Sequence, residues 1–125
     1  PVLFDIGGVM PGFPFVVIVT SKQKTESDPD GIVTMLRAIK RGLDFLAGNQ
    51  DKVAAAVIKK NKFGDPASVR QVIHQFAAVY SLSITKDDID SLIAATRIEA
   101  EAKKLGGADK FFTRQFLAKA LGQSR

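Results

Sequence analysis

Apolar positions along this chain change period once, near residue 28. Ahead of that point lie two short runs. Residues 2–6 (VLFDI) end in Gly7-Gly8, and residues 15–19 (FVVIV) are rich in β-branched side chains. Between them "GVMPGFP" carries two prolines among glycines, which forbids a helix. Both runs read as strands, and the second has the pattern of a strand buried on both faces. Two such strands cannot make a stable sheet alone, so pairing partners are expected from sequence beyond this chain.

After Asp28 the period becomes helical. Asp28-Pro29 is a cap followed by proline at the first helical position. Ile32, Met35, Leu36, Ile39, Leu43 and Leu46 then recur at a 3.6-residue spacing. Gly48-Asn49 ends that helix, and Asn49 is placed to cap the next, "QDKVAAAVIKKNKF". Lys59, Lys60 and Lys62 gather at its end, where the helix dipole favours cations. Asp65-Pro66 repeats the cap, and Val69, Val72, Ile73, Phe76, Ala77 and Tyr80 form a one-sided stripe. Thr85 and Asp88 have capping-box spacing, with Ile84 and Ile89 as the hydrophobic staple. This fourth helix is expected to run through Ile93 and Ile98 to Leu105, with Glu99 and Lys103 paired one turn apart, and to stop at Gly106-Gly107. A last helix carries Phe112, Phe116, Leu117, Ala120 and Leu121 on one side. The expectation is two strands, then five helices.

Composition adds exclusions. The 125 residues fit one domain, and 46% hydrophobic with 25% charged residues is ordinary for a packed core. Nine phenylalanines beside one tyrosine and no tryptophan favour core filling over a recognition surface. The absence of cysteine removes disulfides, thiol catalysis and Cys-based metal sites. No apolar run approaches the ~20 residues of a membrane span. No leader precedes the first strand pattern, so the chain is expected to be an excised piece. The net charge of +5 is spread over several segments and mixed with acids, the pattern of a solvated face.

Candidate chemistry is sparse. His74, the single histidine, falls on the side of its helix away from the stripe, near Arg70, and no nucleophile signature accompanies it. Asp87, Asp88 and Asp90 cluster in a first helical turn, where they stabilise the dipole without any metal. "DIGGVMPG" follows a strand as phosphate loops do, but lacks their glycine spacing and their Lys-Ser/Thr ending. "RAIKR" lies in an amphipathic helix with Phe45 as its one aromatic neighbour, which makes no stacking platform for bases. No catalytic residue, metal or cofactor is assigned, and the chain is expected not to be an enzyme.

Taken in order, "LFDIGGVMPGFPFVVIVTSK" and "DPDGIVTMLRAIKRGLDFLAGNQDKVAAAVIKK" resemble the C-terminal part of solute-binding proteins of ABC importers. The nearest branch is the nitrate/sulfonate/taurine and thiamine-pyrimidine-precursor-like group. Pro29, Val33, Gly42, Phe45, Asn49, Ala54 and Ala55 meet its helix pattern, two of them at approximate spacing. "KKLGGADKFFTRQFLAKAL" resembles the family's last segment. The resemblance covers essentially the whole chain. It implies a two-lobed α/β periplasmic-binding-protein fold, of which residues 1–125 are a C-terminal fragment. Residues 1–22 would be hinge-crossing strands and 28–122 a helical part packed on the first lobe. It implies capture of a small nitrate-, sulfonate- or taurine-like solute by hinge closure and delivery to a membrane permease, in the periplasm. Asp5, Gly7, Gly8 and Met10 would then face the ligand. The pyrimidine-synthase relatives use a cysteine-rich motif, which is missing. A fragment with open strand edges is expected to form a homodimer. The alternative is a small basic helical module that binds a protein or nucleic acid.

Overall fold

A computed structural model describes Pro14 and residues 16–61 and 65–123. Every regular element among them is a helix: α1 (Lys22–Ser27), α2 (Pro29–Gly48), α3 (Gln50–Asn61), α4 (Pro66–Val79), α5 (Lys86–Thr96), α6 (Glu99–Lys104), α7 (Ala108–Phe111) and α8 (Gln115–Ala120). The expected α/β architecture with two N-terminal strands is therefore corrected to an all-helical one. The first run, residues 2–6, lies outside the described residues. In the second, residues 16–20 form no strand and are all exposed. Strand preference is a preference for a paired, half-buried pleat; with no strand beside it among the described residues, a β-branched run stays irregular.

The chain divides into two compact units. One comprises Pro29–Leu82 with Phe116–Arg125; the other comprises Pro1–Asp28 with Ser83–Gln115. In the first unit, α3 packs chiefly on α4, and α2 packs on both. Its core is the cluster of Ile32, Val33 and Phe116, with Leu36 and Ala120 packed against it. Full burial of each large side chain contributes about 2 kcal/mol. Arg37 fastens the same junction, donating to the carbonyls of Ala120 (3.4 Å) and Lys119 (3.3 Å) at the end of α8. The cationic group thus sits at the negative end of that short helix. Along α2, Ile32 is buried and Leu36, Ile39, Leu43 and Leu46 are half-buried, as their spacing predicts; Met35 is exposed.

The helix ends follow local chemistry. Asn49 directs its amide back to the Phe45 carbonyl (3.0 Å), so its side chain closes α2 while its carbonyl accepts the first bond of α3 from Val53 (3.0 Å). Asp65 caps α4 by accepting from the Ser68 amide (2.9 Å) and hydroxyl (3.1 Å). α1 escapes the strand reading through Ser21, whose hydroxyl accepts from the Lys24 amide (3.1 Å) and starts a helix at Lys22.

In the second unit, α5 contacts α6 and α7. Thr85 and Asp88 form the predicted capping box: the Thr85 amide donates to Asp88 Oδ2 (2.7 Å) and the Asp88 amide to Thr85 Oγ1 (3.2 Å). Ile84 and Ile89 are both half-buried, as a staple requires. The single helix expected from Thr85 to Leu105 is two. Arg97 takes a left-handed conformation (φ 57°, ψ 36°), its amide closes on Ala94 and Ile93, and α6 restarts at Glu99. No ion pair joins Glu99 to Lys103 there. The last predicted helix is likewise divided, since Phe112 is extended and separates α7 from α8.

Candidate interaction surface

Helix α4 carries more apolar surface than its own unit uses. The stripe that the sequence reads as one face separates into two rows. Val69, Ile73 and Ala77 are half-buried. Val72 (42% exposed), Phe76 (43%), Val79 (72%) and Tyr80 (44%) stand open. Their spacing of four, seven and eight residues from Val72 is that of a second helical face beside the first. The sequence signal was present as the width of the stripe, with Val79 outside it; which row is covered depends on where α2 and α3 pack. Phe76 and Tyr80, one turn apart, stack tilted with ring centroids 5.2 Å apart, which stiffens the open row. No charged side chain interrupts it. A few apolar side chains left in water are normal, but a contiguous aromatic and aliphatic row is the chemistry of a contact surface.

The polar candidates are engaged structurally. His74 lies on another side of α4 and its Nε2 is 3.2 Å from Asp51 Oδ1, so it ties α4 to the first turn of α3. Asp88 belongs to the capping box, and Asp90 accepts from Lys86 (2.8 Å). That bond and the nearby acids push the Lys86 ammonium above its usual range. The Ser68 amide and hydroxyl hold the Asp65 carboxyl below the usual carboxylate range. Among the described residues no group of three or more His, Cys, Asp or Glu side chains is placed to hold a metal. No described helix is long and apolar enough to cross a membrane.

An open depression of about 530 Å³ lies within the second unit. Its floor includes the buried Ala102 and Ala108; Ile93, Asp90, Glu99 and Lys103 stand around it. With Asp90 already bound to Lys86, it offers Glu99 and Lys103 over an apolar floor.

Asp5, Gly7, Gly8 and Met10, the ligand-facing residues implied by the resemblance, lie outside the described residues. No protein-family model matches the chain, and no curated protein or solved structure is significantly similar to it.

Proposed function

We propose that this chain is the helical docking part of a solute-capture component of an ABC importer, which hands a small nitrate-, sulfonate- or taurine-like solute to a membrane permease. The observation that supports it is the open α4 row. A helical unit that leaves Val72, Phe76, Val79 and Tyr80 uncovered is suited to seat against another protein surface, which a self-sufficient small domain does not require. The ordered sequence resemblance supplies the importer context, and the contacts to solute would rest with Asp5, Gly7, Gly8 and Met10. The basic-module reading draws less support. Lys22, Lys24, Lys40 and Lys86 each pair with an acid one turn on, which leaves less free charge for phosphates.

Calorimetric titration of the gene's full product with nitrate, taurine and short alkanesulfonates tests the proposal. Saturable heat with one of them, little changed by salt, supports solute capture. No heat with any, together with salt-sensitive retention on duplex DNA, transfers the function to the basic module.

A further inference from the structure

Helix α8 brings Phe116 and Ala120, one turn apart, against Ile32, Val33 and Leu36 of α2, and Leu117 beside Phe116 is buried as well. Yet the extensive helix-to-helix approaches in this unit are those of α2, α3 and α4 with one another. α8 makes none as extensive and is held by these side chains and by Arg37. Arg37 supplies donors to the carbonyls of Lys119 and Ala120, which the end of a helix leaves without partners. The segment also carries its own start and stop. The Thr113 hydroxyl accepts from the Gln115 amide (3.3 Å), and the amides of Leu121 and Gln123 close on the carbonyls of Leu117 and Ala118 (both 2.9 Å), with Gly122 at φ 68°. Phe112 is extended, so no helix runs into α8 from α7. Six residues are too few for a helix to persist alone in water, and α8 is therefore helical only while it is seated.

We propose that α8 is a detachable clasp on α2. It opens as one piece while α2, α3 and α4 keep their fold, and in opening it uncovers a face that receives a short helix: Ile32, Val33 and Leu36, with Arg37 beside them. The occupant is segment 113–123 itself. Its chemistry is an aromatic residue, a small residue one turn later, and a carbonyl end for the guanidinium. Opening exposes the few side chains that seat α8, whereas unfolding the whole unit also exposes α3 and α4, so the clasp is the lower-energy motion. The released segment stays tethered at a local concentration on the order of millimolar, so it re-seats and the closed form predominates. The clasp does not involve the open α4 row, and its failure leaves the docking reading standing.

Hydrogen exchange of the full chain, alone and with a synthetic peptide of residues 113–123, tests the clasp. In the chain alone the α8 amides are expected to exchange at least about tenfold faster than the slowest amides of α3. Dilute urea is expected to speed α3 more than α8, since a local opening exposes less surface. The peptide at about 1 mM competes for the uncovered face and is expected to speed α8 exchange at least about twofold. The same peptide with Phe116→Ala is expected to leave it unchanged. In the chain, Arg37→Met removes the donors and is expected to speed α8 exchange about threefold, with α3 unaltered. Equal rates and equal urea dependence in α8 and α3 overturn the clasp, because α8 then opens only with the whole unit. An α8 that the native peptide fails to speed, or that the Phe116→Ala peptide speeds equally, overturns the receiving face. An Arg37→Met chain with wild-type α8 rates overturns the part given to Arg37.

Discussion

The two units reach their folds by different means. The unit built on α2, α3, α4 and α8 buries large side chains: Ile32, Val33, Phe116 and Leu117, with Ala54 covered completely. In the unit that holds α5, α6 and α7, the buried residues among those described are two alanines, Ala102 and Ala108. Burying a methyl is worth a little under about 1 kcal/mol and a large aliphatic or aromatic side chain about 2 kcal/mol or more. A helix cap is worth about 1 kcal/mol. Caps and turns are therefore minor beside the core in the first unit and comparable with the described core in the second. The same chain thus places packing in charge of one region and backbone hydrogen bonding in charge of the other.

The sharpest break of this comparison is at Phe116. Phe116→Ala empties the centre of the only large-residue cluster among the described residues and is expected to cost about 3 kcal/mol. Hydrogen exchange should accelerate through α2 and α8 and leave the α5 amides as they were. Acceleration of α5 to the same degree would show one cooperative unit and end the contrast.

Glycine substitutions give opposite signs in the two units. Gly106 has φ 99°, and a Cβ there would lie 2.5 Å from the Lys110 Cγ. Its amide bonds Lys103 and that of Gly107 bonds Ala102 (2.7 Å), the turn that ends α6. Gly106→Ala is expected to cost about 2 kcal/mol in the second unit. Gly42 lies within α2, and a Cβ there meets nothing within 4 Å. Gly42→Ala is expected to gain up to about 1 kcal/mol in the first unit. Thermal unfolding of both variants checks the pair. Smaller again is Thr85→Ala, which removes both hydroxyl bonds of the capping box and is expected to cost about 1 kcal/mol, read as faster exchange at the start of α5.

This division explains what could be read in advance. The starts of α2, α4 and α5 were legible because Asp28-Pro29, Asp65-Pro66 and Thr85-Asp88 are local devices acting within four residues. The Gly106-Gly107 stop was legible for the same reason. The break at Arg97 was not, since a left-handed arginine carries no mark in sequence; a glycine or asparagine there would have announced it. The strand reading of residues 15–19 failed differently. Its side chains fit a sheet, but a sheet depends on partners that the run itself does not contain. The open row on α4 was half legible: the stripe was visible, while the choice of covered row belongs to the packing of α2 and α3. Asp5, Gly7, Gly8 and Met10 were chosen from resemblance, and their test lies in solute titration.

The smallest expected effects separate the units by pH. Asp65, at the cap of α4, has its carboxyl held below the ordinary range first by the Ser68 amide, then by the Ser68 hydroxyl. A group lowered on folding stabilises the fold above its unfolded pKa, and that share disappears as pH falls through the folded one. Lys86, at the start of α5, is raised first by its bond to Asp90 and then by the charge of Asp90 and of Asp109. A raised cation acts in the opposite direction: its share is complete below the unfolded lysine pKa and is lost as pH climbs through the folded one. Acid should therefore loosen α4 first and alkali α5. Both side chains reach solvent, so salt should shrink both effects. Asp65→Asn keeps a capping side chain without a titratable group, and Lys86→Gln removes the charge. Melting curves of each variant against wild type should converge at low pH for Asp65→Asn and at high pH for Lys86→Gln. Convergence of both at the same end would show that these two bonds do not govern the pH response of their helices.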